Sequence, residues 1–211
     1  MLPDSLIDLE LYSDAADVGQ PKWLLPFRDI SLSPRLQRLT LTDSGEQPLS
    51  DLRLPASLAS LTLDECNQPL ADWSPPAGLR ELTLGRYWNQ PVSQLRLPPR
   101  LQVLTFGELF NQPVADLTLP PSLTELQLGT DAGVRFTHPL VGLRLPPHLR
   151  VLSVPSFGYW LNHDSPALLL PPAAGLPASL RELHVSAHAV RFDRLSAWSL
   201  PARCVVHARS V

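Results

Sequence analysis

Six histidines (His138, His148, His163, His184, His188 and His207), two cysteines (Cys66 and Cys204) and a scatter of carboxylates are the side chains here that could do chemistry. A metal centre needs three or four ligands converging on one point. His163 beside Asp164 and the pair His184/His188 come nearest in sequence, but an i,i+4 pair converges on a helix and diverges on a strand. A strand setting therefore predicts no metal site, and nothing else in the chain calls for a cofactor. Nucleophile-elbow, phosphate-loop and dinucleotide motifs do not occur, so no catalytic residue is predicted.

What must position these groups is a repeat. The pattern Leu-Pro-x-x-Leu-x-x-Leu-x-Leu places apolar residues at Leu6, Leu9, Leu11; Leu36, Leu39, Leu41; Leu58, Leu61, Leu63; and Leu79, Leu82, Leu84. It continues at Leu101, Leu104, Phe106; Leu123, Leu126, Leu128; Leu149, Leu152, Val154; and Leu180, Leu183, Val185. A ninth copy begins at Leu200-Pro201 and degenerates at Cys204. The central copies are spaced by 22, 21, 22 and 22 residues, the range of solenoid repeats that bury a core only by stacking on one another. The Leu-x-Leu tail has the period of a strand buried on one face.

A second apolar triplet follows half a coil later, as in Leu49, Leu52, Leu54; Val92, Leu95, Leu97; Val114, Leu117, Leu119; and Leu140, Leu143, Leu145. The expectation is two short extended segments per coil and little helix. Pairs such as Pro98-Pro99 and Pro120-Pro121 exclude a helix at each corner. The 24 prolines are thus periodic punctuation rather than a sign of disorder. Between the two segments lies Asn-Gln-Pro, beginning at Asn67, Asn89 and Asn111. An asparagine there can bond the backbone groups that a tight bend leaves unpaired. The preceding column, Cys66, Trp88 and Phe110 with Phe136 in the next copy, should stack as a spine inside the coil.

This arrangement also disposes of the other candidates. Cys66 in the spine column reads as a buried, inert thiol. Cys204 lies about six coils away, or ~30 Å at the strand spacing, so the two cannot bridge. Glu81, Glu125 and Glu182, with Asp8 and Glu10, belong to one solvated strand face. Carboxylates two coils apart stand ~10 Å from each other, too far for a retaining glycosidase. Arg53, Arg96 and Arg144 share the second segment with Asp51, Asp72 and Asp116, which reads as a self-compensated surface.

Leu-Pro-Pro-Ser-Leu-Thr-Glu-Leu-Gln-Leu-Gly (119–129) and Phe-Asn-Gln-Pro (110–113) resemble the FNIP repeat, a leucine-rich-repeat variant, and the Leu-Pro-Pro-x-Leu corner is also similar to the short repeats of bacterial effectors. The resemblance is best over 47–129, and the chain departs from the pattern at 13–29, 130–137 and 155–176. It implies a solenoid that makes protein contacts and implies no chemistry. The predicted architecture is mainly β: one leucine-rich-repeat solenoid over 1–211, of about eight coils of ~22 residues. Its regular core spans 32–154, with irregular or insertion-bearing coils at 1–31 and 155–211.

The expected function is a non-catalytic protein-interaction or scaffolding module. The alternatives are a permanent subunit of a large assembly and the repeat-bearing fragment of a larger effector or enzyme. Candidate partner contacts are the aromatics in or near the insertions, Tyr12, Trp23, Tyr159, Trp160 and Phe192, because rigid amphipathic rings on loops anchor partners. A net charge of −3 argues against nucleic acid as the partner. The sequence shows no secretory signal and no apolar run of the ~20 residues a membrane span needs, so a soluble intracellular protein is expected. Residues 1–20 hold five acidic and no basic side chains, whereas 180–211 hold five arginines against two acids. With no recognisable cap at either end, head-to-tail self-association is a further expectation.

Overall fold

A computed structural model of the chain describes residues 2–12, 26–42, 47–129, 136–140, 142–154, 176–186 and 200–209. Each Leu-x-Leu tail forms a short strand: β1 (Asp8–Tyr12), β2 (Arg38–Thr42), β3 (Ser60–Asp64), β4 (Glu81–Leu84), β5 (Val103–Phe106), β6 (Glu125–Leu128), β7 (Val151–Val154), β8 (Glu182–Ser186) and β9 (Val205–Arg209). All nine lie in one parallel sheet in sequence order, which is what a chain coiling always in one sense produces. The register sets like on like. Leu39, Leu61, Leu82, Leu104, Leu126, Leu152 and Leu183 form one continuous buried column.

Proline shapes the corner before each strand. The carbonyls of Pro55, Pro76, Pro98, Pro120, Pro146 and Pro177 each accept a hydrogen bond from the leucine N–H three residues on, at 3.0–3.2 Å. Proline's fixed φ suits such a turn, and its missing N–H leaves no donor to satisfy there. Just past the corner one carbonyl of the previous coil accepts two successive N–H groups. Ala59 and Ser60 both donate to Gln37 O at 2.8 and 2.9 Å, and Gln102 and Val103 to Arg80 O at 2.7 and 3.0 Å.

The second segment of each coil begins differently. Phe27–Asp29, Leu49–Asp51 and Val92–Gln94 are single 3-10 turns, and the same i to i+3 bond recurs from Leu117 to Val114 and from Leu143 to Leu140, both at 3.1 Å. The chain becomes extended only on leaving the turn, with φ/ψ of −84/116 at Ile30, −85/116 at Leu52 and −71/113 at Leu95. The turn pairs the N–H groups of Asp51 and Leu52 within its own coil, while that of Leu49 reaches the Gln68 side chain of the next, so the described second segments add no backbone ladder to the sheet. Their apolar residues still face inward. Leu49, Leu70, Val92, Val114 and Leu140 form one buried column, and Leu52, Trp73, Leu95, Leu117 and Leu143 another.

The ninth repeat does not degenerate at Cys204. It is shorter by one residue and remains a strand: β9 pairs with β8 over five positions, Val206 beside Leu183 and Ala208 beside Val185. Leu183 follows Leu180 by three positions, but Val206 follows Cys204 by only two, which hides the pattern in the sequence. Arg181 O accordingly accepts a bond from Val205 N, at 2.7 Å, at the corner where earlier coils present two donors.

At the strand exits the coils approach closely. A Cβ on Gly107 would lie 2.2 Å from Gly85 O and 2.4 Å from its carbonyl carbon, so backbone must rest on backbone there. Gly107→Ala should therefore cost at least the ~1–3 kcal/mol typical of overpacking, whereas the outward Thr105→Ala should stay within ~0.5 kcal/mol. Urea melts giving the two variants equal stability would contradict this stacking.

Candidate functional site

The interior of the coil is filled by an aromatic stack. Trp88 and Phe110 lie 5.7 Å apart and Phe110 and Phe136 5.9 Å apart, both pairs stacked, and Phe106 of β5 meets Phe110 at 4.2 Å. All four rings are buried, as is Cys66 at the same place one coil earlier. The indole of Trp88 is satisfied by donating its Nε1–H to Gln68 O at 3.2 Å. Flat rings suit this column because each repeat advances by about the strand spacing, which ring faces bridge with a small offset.

Beside the stack runs an asparagine ladder. The Oδ1 of Asn67 accepts from Asn89 N, that of Asn89 from Asn111 N, and that of Asn111 from Thr137 N, each at 2.9 Å. Asn67 and Asn89 Oδ1 also accept from the amides of Gln90 and Gln112 at 3.0 Å, and those amides reach the Asn67 and Asn89 main-chain carbonyls at 3.0 and 3.1 Å. Gln68 links the coil before in a related way, donating to Gln47 O at 2.7 Å and accepting from Leu49 N at 3.2 Å. These side chains do for the bend what the β-ladder does for the strands. A serine at the proline corner does the same, a role the repeat pattern does not announce. Ser57 donates to Leu36 O, while Ser122 and Ser179 donate to Leu101 O and Leu149 O, at 2.6–2.7 Å.

The interior thus holds an outward face at fixed register. Thr40, Thr62, Thr83, Thr105, Gln127, Ser153, His184 and His207 form its middle row, all half-buried between neighbouring strands. Asp8 and Arg38, direct partners at its start, are joined by an exposed 2.8 Å ion pair. Asp51, Arg53, Asp72, Arg96, Asp116 and Arg144 on the second segments all stay exposed.

Tyr12, at the end of β1, is 70% exposed. Trp23, Tyr159, Trp160 and Phe192 lie outside the described residues, as do His163, Asp164 and His188. Tyr87, not singled out from the sequence, is 40% exposed at the exit of β4, with the Arg86 guanidinium 5.5 Å from its ring centre. Arg86 is itself held by Glu108 of the next coil at 2.9 Å.

The sheet also gathers Glu182, His184 and His207 on the outward side of β8 and β9. Continuing the threonine row into the ninth, shortened copy would have exposed this grouping. Burial pushes the Cys204 thiol above its ordinary pKa, and the nearby Glu182 carboxylate adds to the effect, which disfavours a reactive thiolate.

Strand stacking, proline corners and asparagine bends define a leucine-rich-repeat solenoid. The family model described as FNIP Repeat matches residues 67–109 and 88–131, so the middle of the chain is similar to FNIP repeats. No curated protein matches the chain. Among solved structures, the chain is similar to CroV588, described as a novel circular LRR protein, at 22% identity and a TM-score of 0.44, over 72% of this chain and 34% of that one. The chain thus matches about a third of that protein's length.

The ladder and the spine make separable predictions. Asn89→Leu removes the acceptor of Asn111 N and should cost the ~1–3 kcal/mol of a buried donor left unpaired. Asn89→Asp keeps that oxygen and should cost less. Equal losses in urea melts would mean that the carbonyl oxygen does not matter. Phe110→Ala should cost ~3–5 kcal/mol, and a loss under ~1 kcal/mol would show the ring to be exposed.

Proposed function

We propose that the chain is a non-catalytic protein-binding or scaffolding module, a single solenoid whose contact surface is the outward face of β1–β9 together with a set of aromatic side chains. One observation carries this reading: nine strands in unbroken parallel register present a long face of small, half-buried polar side chains. A solenoid displays an extended surface rather than one pocket that converges catalytic groups. Two hollows lined by described residues have little to converge. One, of about 240 Å3, is lined by Pro69, Leu70, Trp88, Gln90 and Pro91 with no ionisable side chain, and in the other Asp72 is the one ionisable group. Tyr12, Trp23, Tyr159, Trp160 and Phe192 are the proposed anchors, of which Tyr12 has the exposure the role needs. Among the described residues no helix is long and apolar enough to cross a membrane.

A second reading is a subunit that stacks on its own copies or on other subunits. The exposed Ile7 and Tyr12 at β1 and Val205 at β9 favour it, together with the acidic first twenty residues and the arginine-rich 180–211. Contacts between unlike surfaces need not close into a ring.

Crosslinking capture from a cell extract, followed by mass spectrometry, separates these readings. A partner recovered by the wild type should be lost with Thr62→Arg/Thr105→Arg on the face and retained with Arg53→Ala on the second segment. Capture insensitive to the face substitutions would reject the face as the contact surface. Sedimentation at low and high salt addresses stacking, because attraction between exposed charges is screened within ~8–10 Å at 0.1–0.15 M salt. Association at low salt that dissolves at high salt is expected if the chains stack, and a monomer at both would reject it.

A further inference from the structure

The grouping at the β8–β9 junction has the chemistry and spacing of a metal site. Glu182 and His184 are two residues apart on β8, so both point outward, and His207 is the direct register partner of His184 on β9. His184 Nε2 lies 3.1 Å from Glu182 Oε2 and His207 Nε2 lies 3.9 Å from the same oxygen. One ligand atom from each of the three residues falls within 4.8 Å of the others. Metal–ligand bonds of ~2.0–2.1 Å place neighbouring ligand atoms ~2.9–3.4 Å apart, so closure on an ion requires the three side chains to draw together and the two rings to turn.

The imidazoles are stacked without the ion, with centroids 4.5 Å apart and planes at 16°, and must tilt apart for both Nε2 lone pairs to meet on it. In register, the outward neighbours of Glu182 are Val151 and Val205 and that of His184 on the other side is Ser153. None of these offers the carboxylate a cation, and among the described residues its ion-pair partners are the two histidines. The site is reachable from solvent, with the three side chains 24–47% exposed.

We propose that Glu182, His184 and His207 bind a divalent ion of the zinc class. Two imidazoles and one carboxylate suit zinc, nickel, cobalt or copper, whereas magnesium and calcium prefer oxygen alone. The ion bridges the last two strands of the sheet. It therefore acts as a clip, fastening the shortened ninth repeat at the point where one corner hydrogen bond has been lost. Three protein ligands leave at least one position for water or for a group from a partner.

The test is calorimetric titration of the full, untagged chain with zinc chloride at pH 7.5, with magnesium chloride as the comparison. One zinc ion should bind per chain with a micromolar or tighter Kd, and magnesium should give no binding. His207→Ala and Glu182→Gln should each weaken zinc binding at least tenfold while leaving the metal-free circular dichroism spectrum unchanged. Should His207→Ala fail to fold, Glu182→Gln decides. Zinc should also slow hydrogen exchange at the β9 amides of the wild type and not those of the variants. No zinc binding by the wild type, or zinc binding by both variants at wild-type affinity, would overturn the proposal, the second outcome assigning the ion to other histidines.

Discussion

Every coil of this protein must satisfy its backbone polar groups and cover its apolar side chains by resting on the coil before it. A buried N–H or carbonyl without a partner costs free energy comparable to a lost hydrogen bond, and one coil of ~22 residues is too short to hold a core of its own. The strands solve this with a parallel ladder, the bends with the Oδ1 of Asn67, Asn89 and Asn111, and the proline corners with the hydroxyls of Ser57, Ser122 and Ser179. Each device reaches across one repeat, so each demands the same rise per coil. The Trp88–Phe110–Phe136 stack and the Gly85–Gly107 contact fill the interior and the strand exit to that rise. Local faults should therefore spread to neighbouring coils, because stability in such arrays is carried by interfaces as much as by single repeats.

The same constraint explains what the surface can be. Positions facing inward are committed to leucine, valine and aromatic columns, and those at the bends to asparagine and glutamine. What remains free to vary is the outward row of the sheet. Half-buried threonines in the middle of that row are good strand formers and present a face that is neither strongly charged nor strongly apolar. Its last members are different in kind: Gln127, Ser153, His184 and His207 replace threonine toward the end of the sheet. The two histidines thus fall where the repeat is least regular.

Much of the fold is legible in the sequence, because a feature that recurs every coil announces itself by its spacing. Leu-x-Leu marks the strands, and the register that joins Leu61 to Leu82 and Leu104 follows from aligning copies. What escapes is whatever does not recur or does not depend on side-chain polarity. The 3-10 turn at Leu49–Asp51 has the same apolar spacing as an extended segment and differs only in where its N–H groups go. The ninth strand hides behind a one-residue deletion. The Glu182–His184–His207 grouping joins residues 25 positions apart, a separation that only the register of β8 and β9 bridges. Serine at the proline corner is a common turn residue, so its bond to the neighbouring coil leaves no distinctive mark.

The central claim is that side-chain amides at the bends, and not only the strand ladder, lock one coil to the next. Residue-resolved amide hydrogen exchange by nuclear magnetic resonance tests it most directly. The amides of Asn89, Asn111 and Thr137 lie outside any strand, so without the ladder nothing would protect them. The account predicts that they exchange as slowly as the strand amides of Leu104 and Leu126, within about a factor of ten, and open in the same cooperative unit. Exchange at the rate of unprotected loop amides, while the strands stay protected, would contradict it.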